Sequence, residues 1–166
     1  MNHLWLCFAI VALASLLAGC RAAPSTRDAA AVEAVLNDLH DAASRADGPR
    51  YFALYAPEAV FLGTDASERW TLDEFKAYAN PLFAKGRGWT YQPTQRHIHI
   101  EPGAGGWAFF DELLTNAKYG TCRGSGSLRR TAGGWKITQY DLSVPIPNDL
   151  LEDFARQIAE HEKSGK

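Results

Sequence analysis

The chain has 166 residues, 46% hydrophobic and 22% charged, with 14 Gly, 8 Pro and 3 Cys. Those proportions exclude a disordered tract, a collagen-like repeat and a disulfide-built scaffold, and the length suits one domain that buries roughly two-thirds of its unfolded surface. Seventeen basic against nineteen acidic residues leave a formal charge of −2, so there is no basic excess to neutralise phosphates and no nucleic-acid partner is expected.

The first feature in chain order is an uncharged run over residues 4–19, LWLCFAIVALASLLAG. It is shorter than the ~20 apolar residues of a spanning helix and has the length of a secretory signal core. It ends in Leu17-Ala18-Gly19-Cys20, which resembles the lipobox of bacterial lipoproteins. That resemblance implies a signal peptide over residues 1–19, lipidation of Cys20, and a lipidated tether over residues 20–27. Each buried methylene of an acyl chain contributes about 0.8 kcal/mol, so two or three chains anchor a protein stably in a membrane. Arg21, where inner-membrane retention usually wants Asp, implies the outer membrane, with the domain on the periplasmic side of the cell envelope. Cys7 leaves with the leader, so Cys122 is the one thiol of the mature domain and reads as a small buried hydrophobe.

The folded domain is expected over residues 28–161, with 162–166 as a tail. Ser25 and Asp28 have the spacing of a capping box, and Val32, Val35, Leu36 and Leu39 recur at helical period until Asp47-Gly48-Pro49 stops them. A short helix over Arg50–Tyr55, a strand over Ala59–Leu62 and a turn at Gly63-Thr64-Asp65 follow. Thr71 and Glu74 form a second capping box; Phe75, Tyr78, Ala79 and Leu82 share the face of its helix, which Pro81 is expected to kink or end. From Trp89 the period changes to two, predicting strands over 89–101, 107–118, 121–131 and 135–144 joined by Gly-rich turns. Asn148 then caps a last helix with Leu151, Phe154, Ala155 and Ile158 on one face. Helices followed by a meander of long strands make an α+β pattern, and Gly124 and Gly126 inside a strand predict strong curvature.

Several stretches are familiar together. Tyr51-Phe52-Ala53-Leu54-Tyr55-Ala56-Pro57-Glu58-Ala59-Val60-Phe61 resembles the start of SnoaL-like domains. Phe109-Phe110-Asp111-Glu112, Arg123-Gly124-Ser125-Gly126 and Trp135-Lys136-Ile137-Thr138-Gln139-Tyr140 resemble their strand signatures. The group belongs to the nuclear transport factor 2-like superfamily, with ketosteroid isomerase, scytalone dehydratase and polyketide cyclases. The resemblance implies a cone: a curved antiparallel sheet packed on N-terminal helices, with a C-terminal helix and a pocket at one open end. It also implies a homodimer formed through the outer face of the sheet. Fold alone does not assign chemistry within such a superfamily.

Enzymes of this kind place a carboxylate or His in an apolar pocket, where desolvation raises a carboxylate pKa toward neutrality. Asp111 and Glu112 are adjacent on one strand, so they point to opposite faces, and alternation alone does not say which faces inward. Salt bridges to Arg123 or Arg129 are the bland reading of the pair. On the last strand Trp135, Ile137, Gln139, Asp141 and Ser143 share a face. If Lys136 meets solvent, Gln139 and Asp141 turn inward, Asp141 standing where related domains carry His. Arg123 could hold an anionic group, or the Arg123–Ser127 stretch could mark close backbone approach at a sheet bend. Among the nineteen aromatics, Trp70, Trp89, Tyr91, Phe109, Tyr119 and Tyr140 are candidates to line a pocket for a ring-bearing ligand. His97 and His99 read as solvent-facing, and His40 and His161 lie on predicted helices with no His or Cys cluster, so neither metal nor cofactor is expected.

Three functions follow as expectations. The leading one is a lipid-anchored envelope protein whose pocket binds a small, mostly apolar organic molecule with one polar or acidic group. The second is a cofactor-free isomerase, dehydratase or cyclase with Asp111 or Glu112 as base, Tyr119 or Tyr140 as donor and Arg123 as support. The third is an interaction module acting through its dimer face or cone rim.

Overall fold

A computed structural model describes residues 26–102 and 106–165 of the chain. The apolar leader, Cys20 and Ser25 lie outside the described residues. Helix α1 (Thr26–Ser44) buries Val32, Leu36, Leu39, Ala42 and Ala43 along one stripe. Helix α2 (Gly48–Ala53) starts where the Asp47 side chain accepts the Arg50 N–H at 3.2 Å, with Pro49 in its first turn. Strand β1 (Tyr55–Leu62) begins four residues earlier than the pattern predicts and runs through Pro57. A short strand β2 (Arg69–Thr71), invisible to periodicity at three residues, pairs with its end.

Helix α3 (Leu72–Phe83) opens on the predicted box: Glu74 Oε2 accepts the Thr71 N–H at 2.8 Å, and Thr71 Oγ1 accepts the Glu74 N–H at 3.4 Å. Pro81 does not end it. It sits in the last turn, where one missing N–H is cheap and Ala84 N–H still reaches Asn80 O. Strands β3 (Gln92–Ile100), β4 (Trp107–Asn116), β5 (Gly120–Thr131) and β6 (Gly134–Ser143) follow as expected, each within a few residues.

The six strands form one curved, unclosed sheet in the order β2-β1-β6-β5-β4-β3. It is antiparallel throughout except between β1 and β6, which run parallel with β2, α3 and the β3–β5 meander between them in the chain. α1, α2 and α3 fill the concave side. Leu36, Phe75, Leu128 and Ile137 are among its fully buried members, each contributing about 1.5–3 kcal/mol through burial.

One irregularity decides the site. β5 and β6 pair Leu128 with Ile137 but Ser127 with Gln139, so Thr138 is an extra residue. Its hydroxyl donates to Ser127 O at 3.1 Å. Gly126 is needed opposite this bulge, since a Cβ there would lie 2.0 Å from Gln139 O. Before the bulge Trp135 and Ile137 are buried; after it Tyr140 is buried and Gln139 is exposed. The expectation that Gln139 and Asp141 turn inward is therefore corrected: both lie on the outer face.

The last helix forms after a 3-10 turn (Asn148–Leu150) and runs as α4 (Leu151–Lys163). Asn148 does not cap it, and no side chain bonds to its N-terminus. Its apolar face is present but unburied among the described residues: Leu151 is 50% exposed, Phe154 42% and Ile158 50%.

Candidate functional site

Glu112 is the one charged residue buried as a whole among the described residues, 1% exposed on the concave face of β4, and the Arg96 side chain beside it is 8% exposed. Arg96 of β3 stands directly across from it in register. Arg96 Nε donates to Glu112 Oε2 at 2.7 Å, Nη2 lies 2.6 Å from the same oxygen, and Nη1 donates to Asn37 Oδ1 of α1 at 2.7 Å. The other carboxylate oxygen, Oε1, accepts the Tyr140 hydroxyl at 2.9 Å and His40 Nε2 at 2.8 Å. Three strands and a helix thus converge on one carboxylate, and Gly124 of β5 makes it possible. It occupies the row of Arg96 and Glu112, and a Cβ there would sit 2.3 Å from the Tyr140 hydroxyl and 3.0 Å from Glu112 Oε1. The close-approach reading of that glycine stretch holds, and the approaching group is a phenol.

Burial alone would push the Glu112 carboxyl up, as the sequence pattern suggests. The hydrogen bond from His40, the charge its ring carries when protonated, and the charge and hydrogen bond of Arg96 outweigh burial and hold it below the usual carboxylate range. With both oxygens fully engaged and ionised, Glu112 is a holder of its neighbours and does not fit the free base anticipated on β4. An ionised acceptor requires the facing nitrogen of His40, Nε2, to carry a hydrogen. The Tyr140 hydroxyl is raised well above its ordinary value, by burial first and then by the Glu112 charge, so it stays a proton donor. Beside it the Tyr51 and Tyr55 hydroxyls lie 3.0 Å apart, both buried and both raised chiefly by that burial.

Two neighbouring spaces lie beside this cluster and share part of their lining. The outer one, about 260 Å³, opens between β1, β2, α3 and the β4–β5 turn and is lined by Trp70, Tyr78, Trp89, Tyr91 and Tyr119. Trp70 stacks on Tyr78 at 4.8 Å, and burial pushes the Tyr91 hydroxyl up to about 12. The inner one, about 20 Å³, shares Phe61, Trp89, Tyr91 and Leu142 with it and ends on His40 and Tyr140. That is room for about one water. A wider groove of about 630 Å³ beside Asp38, Asp41 and Arg50 is open to solvent, and its charges already pair with one another.

The structure therefore gathers Glu112, Tyr140, Trp70, Trp89, Tyr91 and Tyr119 of the predicted residues in and beside these two spaces. It separates the rest. Asp111 and Phe109 are exposed on the outer face, where Asp111, Ser125 and Asp141 form one cross-strand row. Arg123 and Gln139 are also exposed there. Arg129 pairs with Glu58 at 2.6 Å, leaving Arg96 as the partner of Glu112. Exposed His97 and His99 flank Arg96 and Ile98 on β3. Sequence reasoning missed His40 and Arg96. One signal was available: His40 follows Leu36 by four and precedes Ala43 by three, which places it at the edge of the buried stripe.

The chain matches the SnoaL-like domain family over residues 32–147. No curated protein matches it in sequence. Solved structures resemble it in fold. An NTF2-like protein of unknown function from Pseudomonas putida is 17% identical, covering 75% of this chain and 91% of its own, with a TM-score of 0.61. A candidate dehydratase of the NTF2-like family from Streptomyces avermitilis is 16% identical over 73% and 98%, at 0.58. A ketosteroid isomerase-like protein from Erwinia carotovora atroseptica is 22% identical over 74% and 100%, at 0.51. At these identities the likeness establishes the fold.

Proposed function

The chain belongs to the SnoaL-like domain family, and from that membership and its aromatic cavity we propose that it binds a small, mostly apolar, ring-bearing molecule. The single observation that carries this is the open aromatic-lined cavity, whose lining is shared in part by a smaller space against His40 and Tyr140. Its outer volume, near the low end for ligand sites, suits one or two fused rings. The N-terminal lipobox supports the further proposal that this domain works from a lipid anchor at Cys20 on the periplasmic side of the envelope, in the outer membrane. An interaction module has less support, since the cone is open at this cavity.

The floor of the cavity favours a second reading, cofactor-free proton transfer. A ligand in the outer space would reach His40 through one water, a distance over which general acid–base catalysis operates. His40 would accept the proton at Nδ1. Glu112 would stabilise the imidazolium, with Arg96 and Tyr140 keeping the carboxylate fixed as positioning residues.

One ketone probe, 2-indanone in deuterated buffer, tests both readings. Saturable quenching of tryptophan fluorescence, weakened about tenfold by Tyr119→Ala, is the expected binding result; no saturation up to the solubility limit refutes the pocket. Deuterium wash-in beside the carbonyl, at least 100-fold slower in His40→Gln, is the expected catalytic result. Binding without exchange above buffer rates refutes proton transfer and leaves the binding reading standing.

A further inference from the structure

The outer cavity has a charge sign. Seven of its eleven lining residues are aromatic, and the one charged side chain among them is Glu68, with no Lys, Arg or His in the lining. Glu68 precedes β2 on the β1–β2 turn, and its placement is built in. Its Oε2 accepts the Asp65 N–H at 3.3 Å, and its side chain folds back over Gly63, where a Cβ would lie only 2.1 Å from Oε2. Only a residue without a side chain leaves that space. Glu68 makes no ion pair among the described residues and is half-buried, so its negative charge is screened less than a surface charge and remains available.

Lys118 and Arg69 stand near the cavity but do not line it. Lys118 Nζ lies 3.0 Å from the Tyr119 hydroxyl and 4.7 Å from that ring's centroid. The charge of Arg69 acts on Glu74, whose carboxyl is held low first by the Thr71 hydroxyl. Two phenols of the lining, Tyr78 and Tyr91, add oxygen lone pairs, and aromatic faces attract cations.

Resting on the pocket reading above, we infer that the ligand is a small organic cation, an alkylated or quaternary ammonium carried on an apolar ring, with its charge at Glu68 and its ring among Trp70, Tyr78 and Trp89. The polar or acidic group expected from the sequence gives way here to a cationic one, because Arg123 lies on the other face of the sheet. The tests use three single-ring probes: benzyltrimethylammonium, its neutral carbon isostere neopentylbenzene, and benzenesulfonate, each titrated by tryptophan fluorescence. The cation is expected to bind at least tenfold tighter than the sulfonate. Glu68→Gln should weaken the cation about fivefold and leave the neutral isostere within twofold, which also reports that the variant is folded. Sulfonate binding as tightly as the cation, or Glu68→Gln weakening cation and isostere alike, overturns the charge assignment while the pocket stands. Binding of none of the three overturns the pocket reading itself, and this inference with it.

Discussion

Replacing Gly124 with Ala should be among the most damaging single-methyl additions in this protein. The added carbon would stand 2.3 Å from the Tyr140 hydroxyl, 2.9 Å from Tyr140 Cζ and 3.0 Å from Glu112 Oε1. Tyr140 cannot swing away freely, because Phe61 stacks on it at 6.0 Å and Phe110 packs at 5.6 Å. Losing its hydrogen bond to an ionised acceptor costs about 1.5–3 kcal/mol, and forcing a methyl into a packed core about 1–3 kcal/mol more. The stiffer unfolded chain returns only about 0.4–1 kcal/mol. A net loss of about 3 kcal/mol follows, or a fall in Tm of about 10 °C for a domain of this size. Urea unfolding followed by near-ultraviolet circular dichroism measures it, and a double-mutant cycle with Tyr140→Phe isolates the cause. With the nearest oxygen gone, Gly124→Ala should cost about half as much, a coupling of at least about 1 kcal/mol. A Gly124→Ala loss below about 0.5 kcal/mol, or two losses that simply add, would refute the claim that this glycine exists to let Tyr140 reach Glu112.

Two further predictions concern the cluster and the last helix. Glu112→Gln leaves Arg96 as an uncompensated buried cation and should destabilise the fold by about 3 kcal/mol at pH 7. The carboxyl of Glu112 is held below its ordinary value of 4.5 in the folded state. Its contribution is therefore complete above that pH and lost as pH falls through the lower folded value; stability measured from pH 7 to pH 3 should drop more steeply in the wild type than in Glu112→Gln, and parallel curves would contradict the assignment. Ending the chain after Pro147 removes α4, none of whose described residues is buried. Thermal unfolding should shift by no more than about 3 °C, the equivalent of about 1 kcal/mol; a larger fall would mean that α4 packs on the domain in solution.

Much of this protein is legible from its residues in order. The second capping box and the strands from Gln92 onward are local signals, set by hydrogen bonds and side-chain periods over a few residues, and they suffice for the α+β pattern; the cone is implied only by the family resemblance carried by stretches such as Tyr51–Phe61. Local signals also marked Gly124 and Gly126 as places of close backbone approach. They could not name what approaches. Alternation sorts the residues of β4 into two faces without saying which is inward, and on β6 it fails, because one extra residue at Thr138 reverses every side chain beyond it. So Tyr140 and Leu142 turn toward the cavity while Gln139 and Asp141 turn away, the opposite of what strict period two requires. The environment of Glu112 was beyond sequence reasoning for a related reason. Its partners stand 72 residues away at His40, 16 at Arg96 and 28 at Tyr140. Burial by itself raises a carboxylate pKa, and only strand pairing and helix packing, which bring a guanidinium, an imidazole and a phenol to the same two oxygens, lower it instead.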